Sequence, residues 1–239
     1  MRQTAYSVAC TALLLAPGPA AADPSPSELS RTLFFSGVDV SSISSFSWAG
    51  ADVALSGRDL SGPVLRLMGG AGAYDYQADH VDGGEVHAGV VLGEALAGWR
   101  HIGPGLAAAA FAGAEIEDHR LDREDSENRV SGTELGARLA AEVNWQPGER
   151  TRLEASAAYG TAFEFHRVRV AAGVAIWRGM YAGAEAESFG NIESDQHRLG
   201  LTLDGVRAGR FGFKASAGAL RDGDGEVGAY GRLGMDVRW

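Results

Sequence analysis

The sequence predicts an all-β fold, a transmembrane antiparallel up-and-down β-barrel of about twelve strands, and three observations carry that prediction. Apolar and polar residues alternate with a period of two over much of the chain, the pattern of a strand with one greasy and one wet face. There are 34 glycines, well above the ~7% of an average protein, and small residues at that density suit curved strands and oppose long helices. The chain ends in RLGMDVRW, which puts Leu233, Met235, Val237 and Trp239 on one face and Arg232, Asp236 and Arg238 on the other.

The elements follow in order. Residues 1–22 have the form of a cleavable secretory signal: Arg2, a short apolar core through Ala12 and Leu13 to Leu15, then Ala20-Ala21-Ala22 before Asp23. That core is too short to cross a bilayer of ~30 Å, and Pro17 and Pro19 interrupt it. The lone cysteine, Cys10, lies within it. The mature chain is then expected to have no thiol, and hence no disulfide, metal thiolate or cysteine nucleophile. Residues 23–32 read as a periplasmic segment and 33–239 as the barrel.

Within the barrel, alternation is clearest over 130–145, where Leu135, Ala137, Leu139, Ala141, Val143 and Trp145 oppose Glu134, Arg138 and Glu142. It recurs at Leu153–Ala155–Ala157–Tyr159, at Val168–Val170–Ala172–Val174–Ile176, at Leu199–Leu201–Leu203 and at Phe211–Phe213–Ala215. Six further segments, 33–43, 46–55, 64–76, 85–98, 106–116 and 180–190, are so rich in Gly and Ala that alternation alone does not assign their faces. Together with the terminal segment they make twelve strands, an even number as bacterial barrels require, or ten if two of the six fail. A soluble β-sandwich would also alternate. Its core, however, needs bulky side chains where this chain has many alanines, which lipid tails accommodate.

The connections give an independent check. With the N-terminus periplasmic, the even connections (56–63, 99–105, 146–150, 178–179 and 205–209) are short and turn-like. The odd, extracellular set holds the acidic stretch 117–129, plus 77–84 and 221–226. A net charge of −10 excludes a nucleic-acid surface, which needs a basic stripe.

Two resemblances add to this reading. The ending Arg232-x-Gly234-x-x-Val237-x-Trp239 resembles the C-terminal signal of bacterial outer-membrane barrels, which implies recognition by the barrel-assembly machinery. The stretches GPVLRLMGGAGAYDY (62–76), FAGAEIEDHRLDREDSENRVSGTELGARLAAEVNWQP (111–147), AYGTAF (158–163) and SAGALRDGDGEVGAYGRLG (216–234) resemble the BcsS family of cellulose-biosynthesis proteins. That resemblance spans about 34–234 and implies a role in making or exporting cellulose at the outer membrane of a Gram-negative bacterium. It brings no established active-site residues, cofactor or metal.

Candidate chemistry is sparse. His80, His119, His166 and His197 fall near extracellular strand ends, where a rim hydrolase would place a base. No two histidines have the spacing of a helical metal site, and His166 and His197 share the outward parity of Val168 and Leu199. The acidic stretches 117–129 and 222–226 read as solvated loops, the second as an Asp-Gly hairpin turn, in preference to calcium sites. Gly69-Gly70-Ala71-Gly72 lacks the lysine and helix of a phosphate loop. Trp48, Tyr74, Tyr76, Trp99, Trp145, Trp177, Tyr181 and Trp239 read as a membrane-interface girdle; any that point inward could instead stack glucan rings.

Parity directs Glu134, Arg138, Glu142, Arg152, Glu154, Arg167, Arg169, Glu185, Glu187, Arg198, Lys214, Arg232, Asp236 and Arg238 into the lumen. Mixed signs on neighbouring strands predict mutual pairing, because an unpaired buried charge is costly, and hence a narrow or plugged lumen. Arg169 and Glu187 are expected opposite or diagonal across strands eight and nine. The resulting expectation is a non-enzymatic barrel without cofactor, in contact with outer-membrane lipid and with cellulose or the proteins that secrete it. A small-solute or oligosaccharide channel and a rim esterase or deacylase are the alternatives.

Overall fold

The computed structural model describes residues 31–57, 60–78, 80–81 and 84–239. The expected signal peptide and nearly all of the expected periplasmic segment lie outside the described residues. Twelve strands form the wall. The first six are β1 (Thr32–Ser41), β2 (Ser44–Ala54), β3 (Gly62–Gln77), β4 (Glu85–Gly103), β5 (Leu106–Leu121) and β6 (Gly132–Trp145). The rest are β7 (Thr151–Gly160), β8 (His166–Trp177), β9 (Met180–Gly190), β10 (Asp195–Ala208), β11 (Phe211–Asp222) and β12 (Val227–Arg238). Each pairs antiparallel with its chain neighbours, and β12 closes the sheet on β1 with Gly37 opposite Gly234. Closure leaves no unpaired edge in lipid, the condition for a sheet to span a membrane.

The outer face shows where the bilayer sits. Along β5 the outward residues Leu106, Ala108, Ala110, Ala112, Ala114 and Ile116 are apolar, and the next two, Asp118 and Arg120, are not. Residues 106–116 are the length a tilted strand needs to cross, about 9–11 residues. On β4 the outward positions from Trp99 to Gly89 behave alike before His87 ends the band. Leu201 is 73% exposed and Leu135 77%, surfaces that lipid covers and water would not tolerate. The β3–β5 wall therefore rises above the membrane on the extracellular side.

Strand limits differ from the sequence reading in several places: the connection expected at 205–209 shrinks to Gly209-Arg210, and two larger changes fall on β4 and β5. The connection expected at 99–105 shrinks to Pro104-Gly105, with Gly105 at φ +68°, because β4 continues to Gly103. The acidic stretch 117–129 begins as strand: Glu117 to Leu121 extend β5, with His119 turned into the barrel and Asp118 outward. The remaining connection is residues 122–131.

Two apolar clusters sit inside the barrel. Val64, Leu96, Ala109 and Phe111 pack together toward the periplasmic end. Val130, Ala162 and Phe163, with Ile192 against them, draw three connections together at the extracellular end. The β7–β8 connection folds inward as a single 3₁₀ turn, Ala162–Glu164, whose Phe163 (φ 48°) and Glu164 (φ 55°) occupy the left-handed region that glycine favours. Such strain persists only where surroundings impose it. Here Ala162 N–H donates to Glu115 Oε1 (3.0 Å) and Phe163 N–H to Glu134 Oε2 (3.1 Å).

Candidate functional site

The interior of the barrel is the candidate site, and ion pairs span it. Near the periplasmic end Arg66 on β3 donates to both oxygens of Asp52 on β2 (2.7 and 2.9 Å). It also reaches Glu142 on β6 (2.5 Å), while Arg100 on β4 donates to Asp52 as well. The Arg66 guanidinium lies 4.1 Å from the Phe111 ring centre, a cation–π contact that closes the group from below. Midway up, Arg138 joins Glu94 (3.2 Å) and Glu115 (3.1 Å) and stacks over Phe165 at 4.2 Å. The same Glu115 receives the inward loop. Gly136 and Gly160 are glycines for this reason: a Cβ at either would collide with its carboxylate.

On the other side of the barrel the pairs form two hubs. Glu187 binds Arg167 (2.5 Å) and Arg232 (2.5 Å), and Arg232 also binds Asp39 (2.8 Å), which in turn receives Arg198 (2.8 Å). Glu154 gathers Arg152 (3.2 Å), Arg169 (3.1 Å) and Lys214, and Arg152 also meets Asp204 (3.1 Å). Glu185 joins Arg169 (2.5 Å) and accepts from Tyr230 Oη (2.8 Å). Many of these contacts link strands that are not neighbours: β3 to β6, β7 to β10, β7 to β11 and β9 to β12. Long side chains thus form chords across the lumen. The carboxylates of Asp52, Glu185 and Glu187 are wholly buried, yet each has at least two partners, which is the condition for a buried charge to be tolerated.

All the charges directed inward by parity lie on this lumenal side, with Asp236 and Arg238 at the periplasmic mouth. Arg169 and Glu187 face each other in the ladder, but they are not each other's partners. Arg169 takes Glu185 and Glu154, and Arg167 takes Glu187, so the pairing runs along the diagonal set by strand twist. Sequence reasoning missed Asp39, Asp52, Arg66, Glu94, Arg100, Glu115 and Asp204. A signal was available for several: Val38-Asp39-Val40, Ala51-Asp52-Val53, Leu65-Arg66-Leu67 and Ala114-Glu115-Ile116 each set one charge between two apolar residues.

The aromatic girdle expectation holds for Trp99, Trp145, Trp177 and Trp239, which are outward and exposed at the periplasmic rim. It is corrected for Trp48, Tyr74, Tyr76 and Tyr181. These face the lumen because their strand neighbours Ala49, Ala73 and Asp75, small or polar as they are, take the outer face. Trp48 and Phe46 on β2 lie nearly parallel (18°) with centres 6.3 Å apart, and Tyr74 and Tyr76 on β3 follow at 6.2 Å.

His119 is the one histidine buried in the lumen (5% exposed) among the described residues. The consistent assignment has Nε2–H donating to Glu117 (2.9 Å) and the Tyr74 hydroxyl donating to Nδ1 (3.0 Å), so both ring nitrogens are engaged. His166 pairs with Asp195 (3.2 Å) at the outer rim, and His197 is exposed on the outer face. In the 122–131 connection, Asp125 accepts from His80 (2.8 Å), the Tyr76 hydroxyl (2.9 Å) and two backbone N–H groups. These bonds, the one from His80 foremost, hold its carboxyl below the usual carboxylate range. The 222–226 turn closes on itself, with Gly225 at φ +88° and Glu226 N–H donating to Asp222 (2.8 Å).

An antiparallel barrel with an apolar belt outside and an ion-paired interior defines the class: an outer-membrane-type transmembrane β-barrel. Within that class, the chain belongs to the BcsS family, described as "Cellulose biosynthesis protein BcsS", whose profile matches residues 33–239. Among solved structures it is similar to the transport unit of the autotransporter AIDA-I from Escherichia coli, at 11% identity and a TM-score of 0.53, covering 92% of this chain and 93% of that one. It is also similar to LpxR from Salmonella typhimurium, at 11% identity and a TM-score of 0.50, covering 87% and 100%. Both likenesses concern the fold alone. Among curated proteins none matches.

Proposed function

We propose that this barrel is a non-enzymatic accessory of cellulose biosynthesis or secretion in the outer membrane of a Gram-negative bacterium, acting through its extracellular end or as a scaffold, and not as an open conduit. The observation that carries this is the set of lumenal chords, Arg66–Glu142, Arg152–Asp204, Lys214–Glu154 and Arg232–Glu187, which occupy the space a permeant chain would need. Against an esterase role stands the engagement of both His119 nitrogens by Tyr74 and Glu117. Export through a signal peptide ending at Ala22, insertion by the barrel-assembly machinery through Arg232, Gly234, Val237 and Trp239, and contact with cellulose or its secretion proteins belong to the same proposal. Deleting the gene in a cellulose-producing strain should lower Congo-red staining and cellulase-sensitive biofilm. Unchanged cellulose output would overturn it.

A further inference from the structure

The ion pairs do not fill the lumen evenly. Toward the extracellular half of β2 and β3 the inward positions are mostly rings and glycines, with the ion-paired Asp39 of β1 facing them. The Trp48 ring lies over Gly37 of β1, and the Phe46 ring lies across Gly70 and Gly72 of β3. In both places a Cβ on the glycine would run into the ring. Phe35 lies over Gly50 in the same way, one step toward the periplasm. Glycines therefore serve here as floors that let aromatic side chains lie down against the wall. Phe46, Trp48, Tyr74 and Tyr76 remain half-buried, with surface left toward the lumen.

The rim is low beside this wall. The β1–β2 connection is only Ser42 and Ile43, whereas the inward-folding cluster of Val130, Phe163 and Ile192 comes from the connections after β5, β7 and β9. Below, the Arg66–Asp52–Arg100–Glu142 group closes the track. Between that low rim and that ion-paired group stand two near-parallel rings, Phe46 and Trp48, in line along one strand.

From this geometry we infer that the Phe46–Trp48 platform, continued by Tyr74 and Tyr76, binds a short run of β-linked glucan at the extracellular mouth. The inference rests on the cellulose role proposed above and names its ligand class. The chemistry matches on three counts. The faces of a β-linked glucopyranose present C–H groups that pack on aromatic rings, as concave aromatic-lined sites require. Near-parallel rings in line suit a flat ribbon, whereas an α-linked glucan coils away from a straight track. The equatorial hydroxyls at the ribbon edge need polar neighbours, and Asp39, directly across the ladder from Phe46, carries Arg198 and Arg232 beside the platform.

The test uses the purified barrel in a zwitterionic, sugar-free detergent, since glucoside detergents would compete. Trp48 is the lumenal member of the five tryptophans; the other four face outward. Cellohexaose should perturb the fluorescence saturably, maltohexaose should not, and the Trp48→Phe variant should lose the signal. Calorimetry should find cellohexaose about tenfold weaker with Trp48→Ala, weaker again with Phe46→Ala added, and intermediate with Trp48→Phe. Gel heat-modifiability shows that each variant is folded. No saturable binding by a folded barrel, equal binding of maltohexaose, or undiminished binding by the double variant would overturn the inference. A cellulose defect on deletion together with absent binding would remove the platform and leave the cellulose role standing. Binding together with unchanged cellulose output would do the reverse.

Discussion

Strands β6–β12 and strands β1–β5 build the same wall with the same alternation, yet they line it differently. The first region places Arg138, Arg152, Glu154, Arg167, Arg169, Glu185, Glu187, Arg198, Lys214 and Arg232 inside and bulky Leu and Val outside. The second places Phe35, Phe46, Trp48, Tyr74, Tyr76 and Phe111 inside, beside fewer charges, and mostly Ala and Gly over much of its outer belt. Charges satisfied across the lumen draw opposing walls together, whereas rings lying on glycine keep to their own wall and leave space beside them. The difference separates a region that closes the barrel from a region fitted to hold something.

That contrast can be broken at several points. The largest effect should come from the seam that joins the two regions. Removing β12 deletes the pairing to both β1 and β11 and leaves two open edges in lipid, so folded, heat-modifiable barrel should fall to background on unboiled gels. Normal soluble periplasmic protein would contradict the barrel itself.

Next comes the Glu187 hub. Glu187→Ala leaves Arg167 and Arg232 without their shared carboxylate, and losing one partner of a buried pair costs about 3–5 kcal/mol. Thermal or denaturant unfolding should register that loss, while Trp48→Ala, on the ring-lined wall, should shift it far less. Equal losses would erase the distinction between the two regions.

A smaller, local effect is expected at Asp125. Its folded-state carboxyl is held below the usual range by His80 and Tyr76, so this contribution is complete above the ordinary carboxylate range and is lost as pH falls through the depressed value. Hydrogen-exchange protection at Glu127 and Asn128, measured against the intrinsic rate at each pH, should therefore be high at neutral pH and fall only in acid. Asp125→Asn should show the lower protection at every pH above that range.

The sequence made the charged region legible and the aromatic one obscure, for a physical reason. In β6, β8 and β10 large apolar residues repeat at every second position, so the lumenal side follows by elimination. In β2 and β3, apart from Val53, Leu65 and Leu67 near the periplasmic end, outward residues such as Ser47, Ala49, Gly69 and Ala71 are no greasier than the inward ones, and bulk misleads because Trp48 and Tyr74 point inward. Strand number and closure were readable because they depend on local period and on turn residues such as Arg178-Gly179. The folding-in of Ala162 and Phe163 was not, since it depends on Glu115 and Glu134 from other strands. The diagonal choice of Arg169 for Glu185 depends likewise on three-dimensional twist.

The closed lumen is tested most directly by single-channel recording in planar bilayers, comparing the native barrel with Arg167→Ala/Arg169→Ala. These two arginines hold Glu187, Glu185 and Glu154 and touch no lipid-facing residue, so the double variant should insert as well as the native protein. The account predicts little or no stepwise conductance for the native barrel and a clear rise for the double variant at equal insertion. Large, stable conductance steps in the native protein, unchanged by the double substitution, would contradict it.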